Sequence, residues 1–219
     1  MALETSMVKK YYDRFGAKQN SQGFYEDPAI DRMVEHAGFE SAETLFELGC
    51  GTGKLAHRLL REYLPGNAVY TGLDVSDTMV RLAAERLAEF GRRAVVMQSA
   101  GGAHIPLEDK SVDRVVCAYV LDLLPEIEIA RVFSEVRRVL KPGGRFCCVS
   151  LGRGTTLGSK VVGGLWAAVY RAAPMLVGGC RPISLSKFMD PGAWSLLCQE
   201  VVAPYWIPSE VLVAEPRNT

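Results

Sequence analysis

Three glycines at every second position, Gly49, Gly51 and Gly53, close the stretch LFELGCGTG and precede a helical pattern, KLAHRLL. Glycine weakens any regular element, so this spacing demands a backbone that turns tightly or lets another group come close. An apolar run that ends in such a turn and restarts as a helix is a strand–loop–helix unit. In an open α/β sheet, ligands bind beyond the carboxyl ends of the strands, where this loop would stand.

The rest of the chain continues the alternation. Apolar runs at 44–49, 69–74, 94–98, 112–118 and 144–150 lack strict period-two patterning, which suits strands buried on both faces. Leu55, Leu59 and Tyr63 repeat at helical spacing before Pro65-Gly66. Ser76 is placed to cap a helix carrying Met79, Val80, Ala83 and Leu87, and Gly91 follows it. Ile129, Phe133, Val136 and Leu140 mark another helix, stopped by Lys141-Pro142-Gly143-Gly144. Two strands without an intervening helix, at about 198–206 and 209–215 with a tight turn at Pro208-Ser209, end the pattern. The expected fold is α/β: a Rossmann-like, seven-stranded, mostly parallel sheet flanked by helices, with a C-terminal antiparallel hairpin. At 219 residues it reads as a single domain. Within it we expect an N-terminal lid (1–40), a binding core (41–150), a substrate-cover insertion (151–190) and the hairpin (191–219).

Charge and cysteine content exclude several classes. Lys+Arg and Asp+Glu both number 25, so no basic surface is available for non-specific nucleic-acid binding. The six cysteines form no CxxC pair and no Cys/His metal spacing, so no metal site is expected. Free thiols inside apolar runs and a polar N-terminus suit a reduced, cytoplasmic protein. The stretch 161–180, VVGGLWAAVYRAAPMLVGGC, approaches the length of a membrane span, but Arg171, Pro174 and four glycines interrupt it. It is expected to cover a substrate site rather than cross a bilayer, and peripheral contact with a membrane stays open.

Two readings of the glycine loop compete. A dinucleotide fingerprint, G-x-G-x-x-G, would need glycine where Lys54, or Leu55 and Ala56, stand. The observed pattern is E-x-G-x-G-x-G, with Glu47 inside the strand. Here FELGCGTGKLA, GLDVS, IPLEDKSVDRVVCAYVLDLLP and VLKPGGRF, in that order, resemble the signature segments of the class I S-adenosylmethionine-dependent methyltransferases. The resemblance, to the small-molecule group often called type 11, covers roughly residues 11–149. It implies S-adenosyl-L-methionine as cofactor, with Glu47, Gly49, Cys50, Gly51 and Gly53 along its methionine part. Asp74 would take the ribose hydroxyls, a task suited to a carboxylate. Val75, Met79, Ser99, Ala100, Gly101, Ala118 and Tyr119 would complete the binding surface, and Tyr11 would reach in from the lid. The acidic residue that many relatives place beside adenine is missing; its position falls near Gly101. Adenine would then rest on backbone groups, Ser99 or water.

A sulfonium carries its own leaving group, so the protein chiefly aligns and dehydrates the reactants. A base is needed only where the acceptor loses a proton, and Tyr119, Asp122 and His104 are the candidates. Tyr12, Trp166, Tyr170 and Arg171 are expected around a small, apolar or aromatic, lipid-like acceptor. Two other functions stay open on the residues alone: a nicotinamide-dependent oxidoreductase, and a non-catalytic S-adenosylmethionine-binding protein.

Overall fold

The computed structural model describes residues 3–217. Its centre is one sheet built from β1 (Thr44–Leu48), β2 (Val69–Asp74), β3 (Ala94–Gln98), β4 (Val112–Ala118), β5 (Leu140–Leu151), β6 (Trp194–Val202) and β7 (Ser209–Pro216). The strand order is β3-β2-β1-β4-β5-β7-β6. Neighbours from β3 to β5 pair in parallel, whereas β7 runs antiparallel to both β5 and β6. A single reversed strand is therefore wedged between β5 and the edge strand β6.

Helices are α1 (Thr5–Phe15), α2 (Gly23–Ala37), α3 (Lys54–Glu62), α4 (Asp77–Leu87), α5 (Glu126–Val139) and α6 (Leu157–Ala172). Alternate strand residues divide the core into two layers, as a pleated sheet requires. Leu45, Cys147 and Val213 pack with Met33 of α2, Leu59 of α3 and Ala83 of α4. Phe46, Cys148 and Leu212 point the other way, onto Ile129 and Phe133 of α5.

Three boundaries depart from the sequence reading. Strand β5 starts at Leu140, not 144, because Lys141–Gly144 is absorbed as an irregularity: Val112 pairs with Leu140 and Arg114 with Arg145. Strand β6 starts at Trp194 and stops at Val202, before Pro204, which has no N–H to donate to a ladder. Pro204–Trp206 forms a short 3-10 turn in place of a tight two-residue link. Finally, α2 belongs to the core rather than to a lid, since Ala29, Met33 and Ala37 are fully buried. Its carbonyl end is held by arginines of the sheet: Arg114 Nε donates to Ala37 O (2.6 Å), and Arg145 Nη1 to His36 O (3.1 Å). Over the carboxyl edge of the sheet lie α1 and the 3-10 segment Gly16–Gln22, with Gly23 and Glu26 at the start of α2 beside them.

Candidate functional site

The chain runs from β1 outward to β2 and β3, then crosses to β4 on the other side of β1. That reversal opens a crevice at the carboxyl ends of β1 and β4, the place where such sheets bind ligands. The glycine loop fills its floor. Gly49 and Cys50 both donate N–H to Leu73 O, at 2.7 and 2.9 Å, folding the loop toward β2. Gly49 has φ 73°, and a Cβ there would lie 2.2 Å from Val120 Cγ2. Gly53, at φ 72°, opens α3, and a Cβ would lie 3.0 Å from the Ala83 Cα of α4. The first glycine thus permits close approach of β4's loop, and the last permits close packing of two helices.

Asp74 ends β2 beside this loop. Its Oδ2 accepts Gly51 N–H and its Oδ1 accepts Ser76 N–H, both at 2.9 Å. Burial raises its pKa from the ordinary aspartate value, even though these backbone donors pull the other way. Glu47 is buried inside β1 and accepts the Tyr70 hydroxyl at 2.7 Å. Burial pushes its carboxyl up to about 8, so at neutral pH it carries a proton. The contact depends on Gly72, which pairs with Glu47 across the ladder; a Cβ there would stand 2.4 Å from the Tyr70 hydroxyl.

Two hollows meet over the loop. One is lined by Asp74, Val75, Ser99 and Gly101, the other by Glu26, Glu47, Cys50 and Thr52. They share Gln19, Gly49, Gly51, Ala118 and Tyr119. Gln19 comes down from the 3-10 segment, and its Oε1 is buried with no protein partner. An unpaired buried amide oxygen costs free energy, so it marks a place built to receive a donor or a cation. Asn20 beside it accepts the Thr52 hydroxyl at 2.8 Å, tying the segment to the loop.

The expected site residues divide by place. Tyr12, Gly49, Gly51, Asp74, Val75, Ser99, Gly101, Ala118 and Tyr119 line the first hollow. Glu47 and Cys50 line the second. Gly53 and Met79 lie beneath, Met79 buried with its N–H on Ser76 Oγ. Ala100 sits in a separate shallow recess with Thr5 and Lys9. Of the two lid tyrosines, Tyr12 reaches the crevice, while Tyr11 stacks on Phe15 and lies against Gly178. His104 is exposed, 3.3 Å from Glu135, and borders a different groove.

Tyr119 adopts a positive φ of 55° and joins its hydroxyl to Ser209 at 2.8 Å. Tyr25 sets its ring edgewise on both Tyr119 and Trp166, at centroid distances of 5.9 and 6.4 Å. Trp166 Nε1 donates to Cys180 O at 3.0 Å, and the Tyr12 hydroxyl lies 4.0 Å from Cys180 Sγ. Tyr170 is buried on the same side of α6, whereas Arg171 faces outward. Asp122 is fully buried: Oδ2 accepts Leu151 N–H at 3.2 Å and Oδ1 has no partner. Burial pushes Asp122 and Glu26 each up to about 7. Gln19 and Glu26 had no periodicity or motif to single them out, whereas Tyr70 stood unmarked inside the run at 69–74 and Val120 inside the segment ending AYVLDLLP. Among the described residues, ligand atoms of His36, Cys198 and Glu200 come within 4.8 Å of one another, with Glu200 already held by Arg32.

Residues 45–144 match the family described as Methyltransferase domain. The chain is 30% identical over 165 residues to a ubiquinone/menaquinone biosynthesis C-methyltransferase of Methylobacterium nodulans, covering 71% of this chain and 64% of that one. It is also 30% identical over 173 residues to a malonyl-[acyl-carrier protein] O-methyltransferase of Geobacter sulfurreducens, covering 78% and 60%. The chain thus spans less than two thirds of either relative's length. Magnesium protoporphyrin IX methyltransferase from Synechocystis superposes with a TM-score of 0.70 at 16% identity, over 98% of this chain and 100% of that one. A dinucleotide-binding sheet of order 3-2-1-4-5-6 lacks the reversed strand found here between β5 and β6. With the domain match and this sheet, residues 45–144 carry a methyltransferase domain of the class I S-adenosylmethionine-dependent kind.

Proposed function

We propose that the protein transfers a methyl group from S-adenosyl-L-methionine to a small, apolar or aromatic, lipid-like acceptor. The observation that carries this reading is the junction of two hollows over the glycine loop, beneath the unpartnered Gln19 Oε1. The residues present fit the cofactor. Asp74 would accept the ribose hydroxyls, Ser99 and the Gly101 backbone would border the adenine, and Gln19, Glu47 and Gly51 would surround the cationic methionine end.

When bound, the cofactor supplies an activated methyl group together with its leaving group. The chain's own part is alignment and exclusion of water. Tyr12, Tyr25 and Tyr119, with Trp166 behind them, offer an aromatic wall suited to a ring or acyl chain. Glu26 faces the hollow that Tyr119 borders, and a carboxyl near 7 accepts a proton from a phenol or enol at neutral pH. Asp122, with one oxygen unpartnered, is a second candidate deeper in the wall. Similarity to a relative named for ubiquinone and menaquinone biosynthesis favours a quinone-type ring among such acceptors.

Calorimetric titration is expected to show binding of S-adenosyl-L-methionine and none of NAD. Asp74→Ala should raise the cofactor Kd at least tenfold in a folded protein, since hydrogen bonds to a charged group contribute about 1.5–3 kcal/mol each. Transfer of a tritiated methyl group into the apolar fraction of a cell extract should follow. NAD binding in place of S-adenosyl-L-methionine would overturn the reading. Cofactor binding with no transfer to any acceptor would reduce it to a binding protein.

A further inference from the structure

Helix α6 turns an apolar face to solvent. At about 3.6 residues per turn, Ser159, Gly163 and Tyr170 share its inner side, and all three are buried. The opposite arc carries Leu157, Val161 and Leu165, one above another at every fourth residue, and Leu157 is 81% exposed. Val161 and Leu165 are each about two-thirds exposed, at 64% and 65%. Lys160 and Arg171, both exposed, flank this stripe along one side.

The patch continues onto the Pro204–Trp206 turn. Gly158 lies so close to Trp206 that an added Cβ would meet the indole at 3.1 Å. Tyr205 is 73% exposed and Trp206 is 64% exposed. Both hold positive φ, 52° and 62°, a conformation that costs a residue with a Cβ on the order of 1–2 kcal/mol. A strained turn thus presents two large aromatic rings to water beside a stripe of aliphatic side chains.

Charge selects the occupant. Neither α6 nor the turn contains an acidic residue, and from 151 to 189 the chain has five basic residues and no Asp or Glu. The molecule as a whole balances 25 against 25. Two copies meeting through this face would bring Lys160 and Arg171 onto their own kind. A bilayer with anionic headgroups would neutralise them. Tyr and Trp are the side chains that settle at the headgroup level, and an in-plane amphipathic helix takes this arrangement of aliphatic face and cationic flank. No helix among the described residues is long and apolar enough to cross a membrane.

We infer that α6 and the Pro204–Trp206 turn dock the protein on an anionic lipid bilayer. Leu157, Val161, Leu165 and Trp206 enter the acyl boundary, and Lys160 and Arg171 extend to the lipid phosphates. The inference is independent of methyl transfer, because docking is read without cofactor or acceptor.

The test is co-sedimentation of the full chain with vesicles of phosphatidylcholine alone and of phosphatidylcholine mixed with phosphatidylglycerol, at low and high salt. Binding is expected to the mixed vesicles at low salt, with a blue shift of tryptophan emission that Trp206→Phe abolishes. The double substitutions Leu157→Gln/Leu165→Gln and Lys160→Gln/Arg171→Gln should each weaken binding by roughly tenfold or more, with near-ultraviolet dichroism unchanged. Three results would overturn the inference. These are failure to bind the mixed vesicles, equal binding to both vesicle types, and a dimer in sedimentation that Leu157→Gln/Leu165→Gln dissociates.

Discussion

Glu47 shows how one side chain ties the interior of a strand to a binding loop. A carboxyl there must be paired or protonated, because ionising it in a dry surrounding is costly. Tyr70 supplies the one hydrogen bond, Gly72 makes room for it, and burial holds the proton up to about pH 8. A cationic ligand end beside Glu47 would favour the carboxylate and expel that proton. Binding then tightens as pH rises toward 8. We expect calorimetric affinity for S-adenosyl-L-methionine to increase between about pH 6 and about pH 8.5, with proton release visible in buffers of different ionisation enthalpy. Glu47→Gln should lose most of that rise, keeping only the part that Glu26 in the same hollow contributes. A wild-type profile no steeper than the mutant's would separate Glu47 from the cofactor.

Among the elements, α1 and α2 are held in opposite ways. Buried core contacts and two arginine-capped carbonyls fix α2. By contrast, α1 is latched mainly by polar groups at the start of α4. Asp13 Oδ1 accepts the Ser76 hydroxyl at 2.6 Å and Thr78 N–H at 3.3 Å, while Lys9 bridges Asp13 and Asp77. An acidic side chain at a helix N-terminus is favoured there, yet such half-exposed contacts are individually weak. This latch suits a segment that opens over a crevice. Asp13→Ala should therefore speed tryptic cleavage within α1 several-fold while leaving the main unfolding transition nearly unmoved. Cofactor should protect the wild type more than the mutant. Equal cleavage of both proteins would show that α1 is held by something else.

For the molecule as a whole, four carboxyls, Glu26, Glu47, Asp74 and Asp122, share one direction of displacement. Glu26 and Asp122 are pushed to about 7 and Glu47 to about 8, in each case chiefly by burial. The native state thus holds protons that the unfolded chain releases near pH 4. Their contribution is full below the unfolded values and is lost as pH rises through the native ones. Stability should fall between about pH 5 and about pH 8, each group contributing at most about 1.4 kcal/mol of loss for every step of one in pH. Thermal unfolding of the cofactor-free protein is expected to give a lower Tm at the higher pH. Asp122→Asn should reduce that slope. A Tm that rises over the interval would contradict the protonated burial of these groups.

Local chemistry carried much of this structure in readable form. The glycine loop, the Ser76 cap and the alternation of β1 to β5 with α3 to α5 are set by neighbours within a few residues, so period and backbone preference reveal them. Asp74 was legible for the same reason, standing where a buried run stops. Other features exist only once distant segments meet. Tyr70 finds Glu47 because the parallel register sets Gly72 opposite it. Gln19 matters only because a polar 3-10 segment without pattern descends on Gly51. Lys141–Gly144 reads locally as a stop, yet pairing with β4 draws it into a strand. The leucines of α6 look like core until packing turns its small residues and Tyr170 inward and leaves the stripe outside. Backbone propensity is a property of the chain nearby, whereas a side chain's partner and its contact with water follow from which surfaces the sheet brings together.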